Sequence, residues 1–191
     1  MKNIRILVSA AALVGLAACC SNEPKTFTGV ITDATMNTVT VKADAEDKTI
    51  TFTTENADMA QANGLLLGAP VVVDYKGCLK DVMPATKVAT DATYAQAVGR
   101  WTMPDPNDPE AVMGVEIEIE GAAESINMAT LRYTSWELSG EADKIILKGE
   151  SEGSGEPIAF TQTGILAKNA EGVWTLAIEG TEVVYTQQAN M

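Results

Sequence analysis

Apolar and polar residues alternate along the chain from Phe27 onwards, with Thr or a charged residue between successive Val, Ile and Phe residues. Such alternation, with many β-branched residues, is typical of β-strands that have one buried and one solvated face. The pattern predicts five short strands in the first half of the chain. Their predicted ranges are 27–34, 37–43, 48–54, 70–77 and 86–92.

A different pattern separates the third and fourth of these strands. The stretch ENADMAQANGLLLG has good helix formers after Asn56, a residue type that caps helices, and reaches a glycine at Gly64. It predicts a short helix. Five strands with one helix after the third is the element order of an OB-fold, so residues 27–92 are expected to form an OB-like small barrel.

Residues 93–98 form a short, Ala-rich connector, and a second series of alternating segments follows it. Eight short strands joined by tight turns predict an up-and-down antiparallel barrel over residues 99–191, because closure removes exposed strand edges. The predicted fold class is therefore all-β, with two successive barrels. The eight predicted ranges are 99–103, 113–120, 125–129, 131–138, 143–150, 156–167, 173–178 and 181–187.

The alternation also assigns faces within the second barrel. Val115, Ile117 and Ile119 are expected to point inward, because they share one phase of a strand whose other phase is glutamate. The strand Leu131–Leu138 breaks the rule, since its large apolar residues change phase halfway along. That change predicts a β-bulge near Thr134–Ser135.

The N-terminal segment has the composition of a secretory leader. Lys2 and Arg5 precede an apolar run over 6–16 that is too short to span a bilayer, and two alanines follow it. Leu16-Ala17-Ala18-Cys19 resembles the lipobox of bacterial lipoproteins. The resemblance implies that residues 1–18 are a signal peptide, that Cys19 is the lipid-attachment residue, and that residues 19–26 are a tether.

A lipid-anchored chain is expected in the cell envelope, and we expect the outer membrane of a Gram-negative bacterium. Acyl chains such as palmitate contribute about 0.8 kcal/mol per buried methylene, so several chains hold a protein stably at a membrane.

The formal net charge is −13. So acidic a surface repels polyanions, which argues against nucleic acid as a partner.

The chain contains no histidine. This excludes Ser-His-Asp and Cys-His nucleophiles and the usual imidazole metal sites. Catalysis by carboxylates alone is not excluded, but a hydrolase of that kind is the function that we favour least, so we expect no enzyme, no catalytic residue, no metal and no cofactor. The turn DPNDPE (105–110) gathers oxygen ligands of the kind that Ca²⁺ accepts, but two prolines stiffen it and the Gly of an EF-hand loop is missing. A solvated turn is the interpretation we favour.

Three cysteines occur in the chain. Lipidation would consume Cys19 and leave Cys20 in the tether and Cys78 in the first barrel. An exported protein could oxidise this pair to a disulfide. The alternative that we favour is Cys78 as a small buried apolar residue.

The second half of the chain resembles the lipocalins. Gly99-Arg100-Trp101 matches their G-x-W motif, the run Ser125–Gly140 looks like a block of lipocalin-like lipoproteins from Gram-negative envelopes, and Val184-Tyr185-Thr186 echoes their last strand. The resemblance covers 99–187. It implies a calycin-type barrel in which Gly99 and Trp101 form the structural motif and the Trp plugs the closed end, without the Arg that lipocalins stack on it.

An OB-like domain and a small lipocalin-like barrel behind a lipobox also resemble the NlpE-like envelope lipoproteins, with the domain order reversed. The Cys-x-x-Cys of that family has no match in this chain. Its metal and redox roles are therefore not carried over.

The aromatic residues of the second half are the candidate ligand contacts. Tyr133, Trp136 and Tyr185 could line a pocket for an apolar or amphipathic ligand, although large aromatics also form barrel cores. Two functions follow. The first is a lipid-anchored, non-enzymatic lipoprotein that binds a small ligand in its barrel, and the second is an interaction or stress-sensing module with a filled barrel and a protein partner in the envelope.

Overall fold

The computed structural model describes residues 22–153 and 155–188. These residues form two β-structures joined by one short helix. The first contains β1 Pro24–Ala34, β2 Thr38–Ala43, β3 Thr49–Thr53, β4 Asp58–Gln61, β5 Pro70–Lys76 and β6 Val82–Thr90. Helix α1 (Ala92–Ala97) follows, and the second contains β7 Gly99–Asp105, β8 Asp108–Ile117, β9 Ala123–Ile126, β10 Leu131–Leu138, β11 Lys144–Ser151, β12 Ile158–Lys168, β13 Trp174–Ile178 and β14 Val184–Gln187.

Five strands of the first half close into a ring. Their order is β3-β2-β1-β5-β6, and β6 pairs back onto β3 in parallel through Phe52 and Met83. We call this ring the small barrel. The alternation in the sequence explains its core, because Phe27, Phe52 and Tyr75 point inward with ring centroids 5.5 and 6.0 Å apart in succession.

The helix predicted after Asn56 is wrong. Residues 58–61 form the short strand β4, which pairs with β6 at Lys87 and Ala89. The local sequence has helix formers, but strand β6 offers a free edge whose hydrogen-bonding groups β4 satisfies. Pairing with an element distant in sequence thus outweighs local propensity.

The second half forms an eight-stranded antiparallel barrel that is nearly closed. The strand order is β10-β11-β12-β13-β14-β7-β8-β9, which is the predicted up-and-down arrangement. The bulge predicted near Thr134–Ser135 is confirmed by a register shift between Tyr133 and Ser135. Val115 and Ile117 are buried as predicted, but the inward placement of Ile119 is wrong: β8 has ended, and Ile119 is 37% exposed in a 3-10 turn at Ile119–Gly121.

The hydroxyl of Ser125 helps to join β9 and β10, the two strands at the ends of this sheet. Between β9 and β10 the backbone makes one isolated bridge, Ala122 to Ser135. The hydroxyl of Ser125 donates to the Leu131 carbonyl at 2.8 Å and accepts the Tyr133 N–H at 2.7 Å. We call this place the seam.

The two barrels meet at α1, in the segment predicted as a connector. Residues 93–98 are therefore mostly helical, and Asp91 caps the helix by accepting the Tyr94 N–H at 2.8 Å. Strand β1 begins at Pro24, within the range 19–26 that is predicted as the tether, and pairs there with Lys76. No helix among the described residues is long and apolar enough to cross a membrane.

The second, eight-stranded barrel has two ends, which differ in what covers them. We call the end where β8, β10, β12 and β14 begin the mouth, and the end where they finish the base. The base carries α1 and the 3-10 turn and faces the small barrel. The hydroxyl of Tyr94 in α1 donates to the Leu67 carbonyl and accepts the Glu120 N–H, both at 2.8 Å, so one side chain bonds both barrels.

Candidate functional site

The three predicted ligand contacts are all buried inside the barrel. Tyr133 and Trp136 lie on β10 and Tyr185 lies on β14, and their exposed fractions are 2%, 4% and 2%. Residues 133 and 136 would face opposite sides of a regular strand. The bulge between them turns both side chains inward.

Tyr133 and Tyr185 come together near the mouth with two residues of β12. The Tyr133 hydroxyl donates to Oε1 of Gln162 at 2.8 Å, and a hydrogen bond also links the two tyrosine hydroxyls. The ring of Phe160 meets that of Tyr133 edge-on, with centroids 5.5 Å apart. We call these four residues, Tyr133, Phe160, Gln162 and Tyr185, the mouth cluster.

The mouth cluster is reached from outside through β12. Phe160 and Gln162 are in phase with the buried Leu166, and so they face the barrel interior, yet both are only half-buried. Gly149 on β11 provides the space for Phe160, since a Cβ there would lie 2.7 Å from the Phe160 ring. The cluster therefore combines the half-buried ring of Phe160 and the half-buried amide of Gln162 with two buried hydroxyls beside them.

Burial keeps the two tyrosines of the cluster neutral. Removal from water raises the pKa of Tyr133 far above its ordinary value, and the neighbouring Tyr185 raises it further. Burial also raises the pKa of Tyr185, while its hydrogen bond with Tyr133 acts in the opposite direction. Both hydroxyls remain available as hydrogen-bonding groups at physiological pH.

Trp136 lies at the base and does not join the other two predicted contacts. Its Nε1–H donates to the Glu118 carbonyl at 2.7 Å, and its ring lies against that of Tyr94 with centroids 4.9 Å apart. The structure thus brings Tyr133 and Tyr185 together and places Trp136 at the opposite end of the barrel.

The predicted motif residues Gly99 and Trp101 also lie at the base. Trp101 is fully buried and its Nε1–H donates to the Ala97 carbonyl at 2.7 Å, so α1 covers this end of the barrel. Gly99 has φ 139°, a value that favours glycine. Arg100 points outward and pairs with Glu116 at 3.6 Å.

A groove of about 580 Å³ runs along the outside of the seam to Tyr133. Ser125, Met128 and Leu131 line it together with the exposed side chains of Arg132 and Glu152. Arg132 is held by ion pairs with Glu150 and Glu152. Of the four residues in the mouth cluster, Tyr133 lines this groove, beside the part of the barrel wall where β9 and β10 form no ladder.

Sequence reasoning missed Gln162 and the role of Phe160 beside it. The signal was present, because a glutamine occurs in the inward phase of the apolar strand β12. A polar residue in that phase needs a hydrogen-bonding partner when it is buried, and such residues often mark a site. The partner, Tyr133, lies 29 positions away and could not be identified from spacing.

The remaining candidates lie outside this site. In the 105–110 turn, Asp105 accepts the Asn107 N–H at 2.8 Å and Asp108 accepts the Glu110 N–H at 3.1 Å. Within 22–153 and 155–188, no group of three or more His, Cys, Asp or Glu residues is arranged to hold a metal ion.

Cys78 is in a disulfide, so its interpretation as a small apolar residue is wrong. Cys19 and Cys20 lie outside the described residues.

Comparison with known protein families shows that residues 93–188 match the lipocalin-like family. A lipocalin-like protein from Bacteroides thetaiotaomicron, known from a crystal structure, is 38% identical to this chain. The similarity covers 48% of this chain and 96% of that one, with a TM-score of 0.41. No curated protein matches the chain. The resemblance noted for residues 99–187 is confirmed, and the similarity to NlpE-like lipoproteins is not.

Proposed function

Because the chain belongs to the lipocalin-like family, we propose that it is a non-enzymatic protein that binds a small apolar or amphipathic molecule at the mouth of its second barrel. The observation that carries this proposal is the mouth cluster. Phe160 and Gln162 face inward but remain half-buried, directly beside the buried hydroxyls of Tyr133 and Tyr185. An apolar surface with a few fixed polar groups is the usual composition of a small-molecule site.

The depth of this site is limited by the barrel core. Five large side chains near the base and middle are no more than 1% exposed, and they fill the space below the cluster. They are Trp101, Ile117, Ile145, Leu147 and Leu176. The bound molecule is therefore expected to sit at the mouth, with its apolar part on Phe160 and one polar atom at Gln162.

A neutral fluorescent probe, N-phenyl-1-naphthylamine, tests the proposal. We expect its emission to rise on binding and its affinity to fall roughly tenfold in Phe160→Ala, because aromatic contacts dominate such sites. Thr161→Ala on the outer face of the same strand is the matched control and is expected to bind as the unchanged protein does. Equal affinity in all three proteins would contradict a site at the mouth.

Native mass spectrometry of protein purified from its own host would identify a natural ligand. A co-purified small molecule that is lost in Phe160→Ala and retained in Thr161→Ala is the expected result. Retention of the molecule in both variants would place it elsewhere in the protein.

The proposal includes an anchor in the cell envelope, and we expect the outer membrane. The lipobox at Leu16–Cys19 and the preceding apolar run support attachment of acyl chains to Cys19. We expect Cys19→Ser to move the protein from the membrane pellet to the soluble fraction. Continued sedimentation of that variant with the membranes, while Cys20→Ser behaves as the unchanged protein, would contradict the anchor.

A second function, an interaction or stress-sensing module in the envelope, is favoured by the filled core. A barrel packed with Trp101, Leu147 and Leu176 serves equally well as a rigid scaffold for binding a protein partner. The two functions differ in the probe experiment. If the neutral probe does not bind the unchanged protein and no molecule co-purifies with it, the scaffold function is the better description.

A further inference from the structure

A cavity of about 400 Å³ lies at the base, between the two barrels. Val30, Ile31 and Pro70 of the small barrel form one wall. Gly121 and Leu138 of the second half line the opposite side. This cavity is separated from the mouth cluster by the packed core of the second barrel, so it is a separate place in the molecule.

The floor of the cavity is a rigid aromatic pair. The rings of Tyr94 and Trp136 lie 4.9 Å apart at an angle of 38°, and the two residues are 5% and 4% exposed. Each ring is fixed by a hydrogen bond from its polar atom to a backbone carbonyl, Tyr94 to Leu67 and Trp136 to Glu118. The floor is therefore already arranged for contact with a flat apolar group.

The backbone at the rim has an unusual conformation. Gly68, Glu120 and Gly121 all have positive φ values, of 79°, 62° and 90°. A non-glycine residue such as Glu120 adopts this region only at a cost of about 1 kcal/mol or more, and such positions concentrate at binding sites. The conformation of Glu120 is held by the hydrogen bond from its N–H to the Tyr94 hydroxyl.

The charges at the rim select the kind of ligand. Glu120 and Glu137 both line the cavity, and both side chains are exposed. Glu137 already pairs with Lys148 at 2.9 Å, whereas no ion pair found among the described residues uses Glu120. A carboxylate beside an aromatic floor attracts a cation and repels an anion.

We infer that this junction is a second binding site, for a small molecule with a flat apolar body and one positive charge. The apolar body lies on Tyr94 and Trp136, and the ammonium or guanidinium group lies beside Glu120. Fatty-acid-like anions are disfavoured by the same carboxylate. Because the walls belong to both barrels, a molecule bound here stabilises their contact.

Three naphthyl probes of matched size test this inference: 1-naphthylmethylammonium, 1-naphthylmethanol and 1-naphthoate, which are cationic, neutral and anionic. Binding of each probe is measured by isothermal titration calorimetry on the purified full-length protein in detergent. Titration of the probe into the detergent buffer without protein is the blank. We expect the cation to bind roughly tenfold more tightly than the anion, since attraction by the exposed carboxylate of Glu120 is replaced by repulsion.

Two kinds of variant locate the site and its charge. Glu120→Gln is expected to reduce affinity for the cation about threefold and to leave the neutral probe unchanged. Val30→Phe and Thr32→Trp are each expected to fill the cavity and abolish binding of the cationic probe at the junction. Thr32 is exposed, so its variant tests the site even if Val30→Phe folds poorly. Glu182→Gln, an exposed acid distant from the base, is the control and is expected to bind as the unchanged protein does.

The affinities of the three probes for these variants test the inference in both directions. Cation preference that is lost in Glu120→Gln, together with loss of binding in a well-folded cavity-filling variant, supports the inference. No binding of the cation, equal binding of cation and anion, or cation binding that survives Thr32→Trp would overturn it. Phe160→Ala at the mouth is expected to leave the affinity for the cationic probe unchanged, so failure of this site is distinguishable from failure of the site proposed at the mouth.

Discussion

At the scale of single residues, the barrel interior depends on hydroxyl groups whose hydrogen bonds are satisfied. Tyr133 bonds to Gln162 and Tyr185 inside an otherwise apolar core. Among the residues that the structure describes, no buried side-chain nitrogen or oxygen lacks a hydrogen-bond partner. An unpaired group there would cost about 1–3 kcal/mol, which explains why these polar side chains occur as a connected set.

The tyrosines make the protein sensitive to alkaline pH. Burial raises the pKa of Tyr133 above the ordinary value of 10.0, so the folded protein keeps a proton that the unfolded chain releases. The contribution of Tyr133 to the stability of the folded protein is complete below the ordinary pKa of tyrosine. It is lost as the pH rises above that value, towards the raised pKa of Tyr133 in the folded protein. We expect the free energy of unfolding to fall above pH about 10.

Tyr133→Phe tests this assignment in denaturant titrations from pH about 8 to about 11. The variant is expected to lose about 1 kcal/mol at the lower pH, because the hydrogen bond to Gln162 is missing. Its stability should fall less steeply above pH about 10, since one titrating group has gone. Equal slopes for the two proteins would show that Tyr133 is not responsible.

At the scale of elements, the seam is the weakest part of the second barrel wall. Every other neighbouring pair of strands is joined by a ladder, as in β11 and β12 with eight paired positions. Across β9 and β10, Ser125 replaces part of the missing ladder by bonding the Leu131 carbonyl and the Tyr133 N–H. A side chain here performs what backbone groups do elsewhere in the barrel.

Ser125→Ala is therefore expected to destabilise the protein by about 1–3 kcal/mol, because it leaves two backbone groups without partners. Amide hydrogen exchange should accelerate at Tyr133, next to the seam. Thr134→Ala is the matched control, as its exposed hydroxyl makes a long bond of 3.4 Å to the Lys148 carbonyl. Unchanged exchange at Tyr133 in Ser125→Ala would contradict a role in closure.

At the scale of the whole molecule, the two barrels are joined through a small number of close contacts. A Cβ at Gly68 would lie 2.6 Å from the Tyr94 hydroxyl and 2.9 Å from the Glu120 Cα. Gly68 thus allows the small barrel to approach α1 and the 3-10 turn. Without this approach, the hydrogen bond from Tyr94 to Leu67 could not form.

Gly68→Ala is expected to separate the unfolding of the two barrels. Both Gly68 and Gly77 have positive φ, 79° and 90°, so alanine costs about 1–2 kcal/mol of backbone strain at either position. No heavy atom lies within 4 Å of a Cβ at Gly77, which makes Gly77→Ala the matched control. In calorimetry we expect two transitions for Gly68→Ala and one for Gly77→Ala. One transition for each variant would show that the junction does not couple the barrels.

The regular strands followed from the sequence, and the exceptions have physical causes. In β8, alternation assigned Val115 and Ile117 correctly but extended too far, since the chain turns at Glu120 with positive φ. The segment after Asn56 has helical composition, yet the edge of β6 recruits it as a strand. Local patterns report which face is apolar, but they do not report where a partner strand ends or begins.

The sequence by itself determined the eight strands of the second barrel and the bulge near Thr134, and it predicts an anchor at Cys19. These follow from periodicity and local motifs, which act between neighbouring residues. Only the tertiary structure decided that Tyr133 and Tyr185 share the mouth with Gln162 while Trp136 lies at the base beside Tyr94. Those contacts join residues far apart in the chain, and their partners are set by strand order and register.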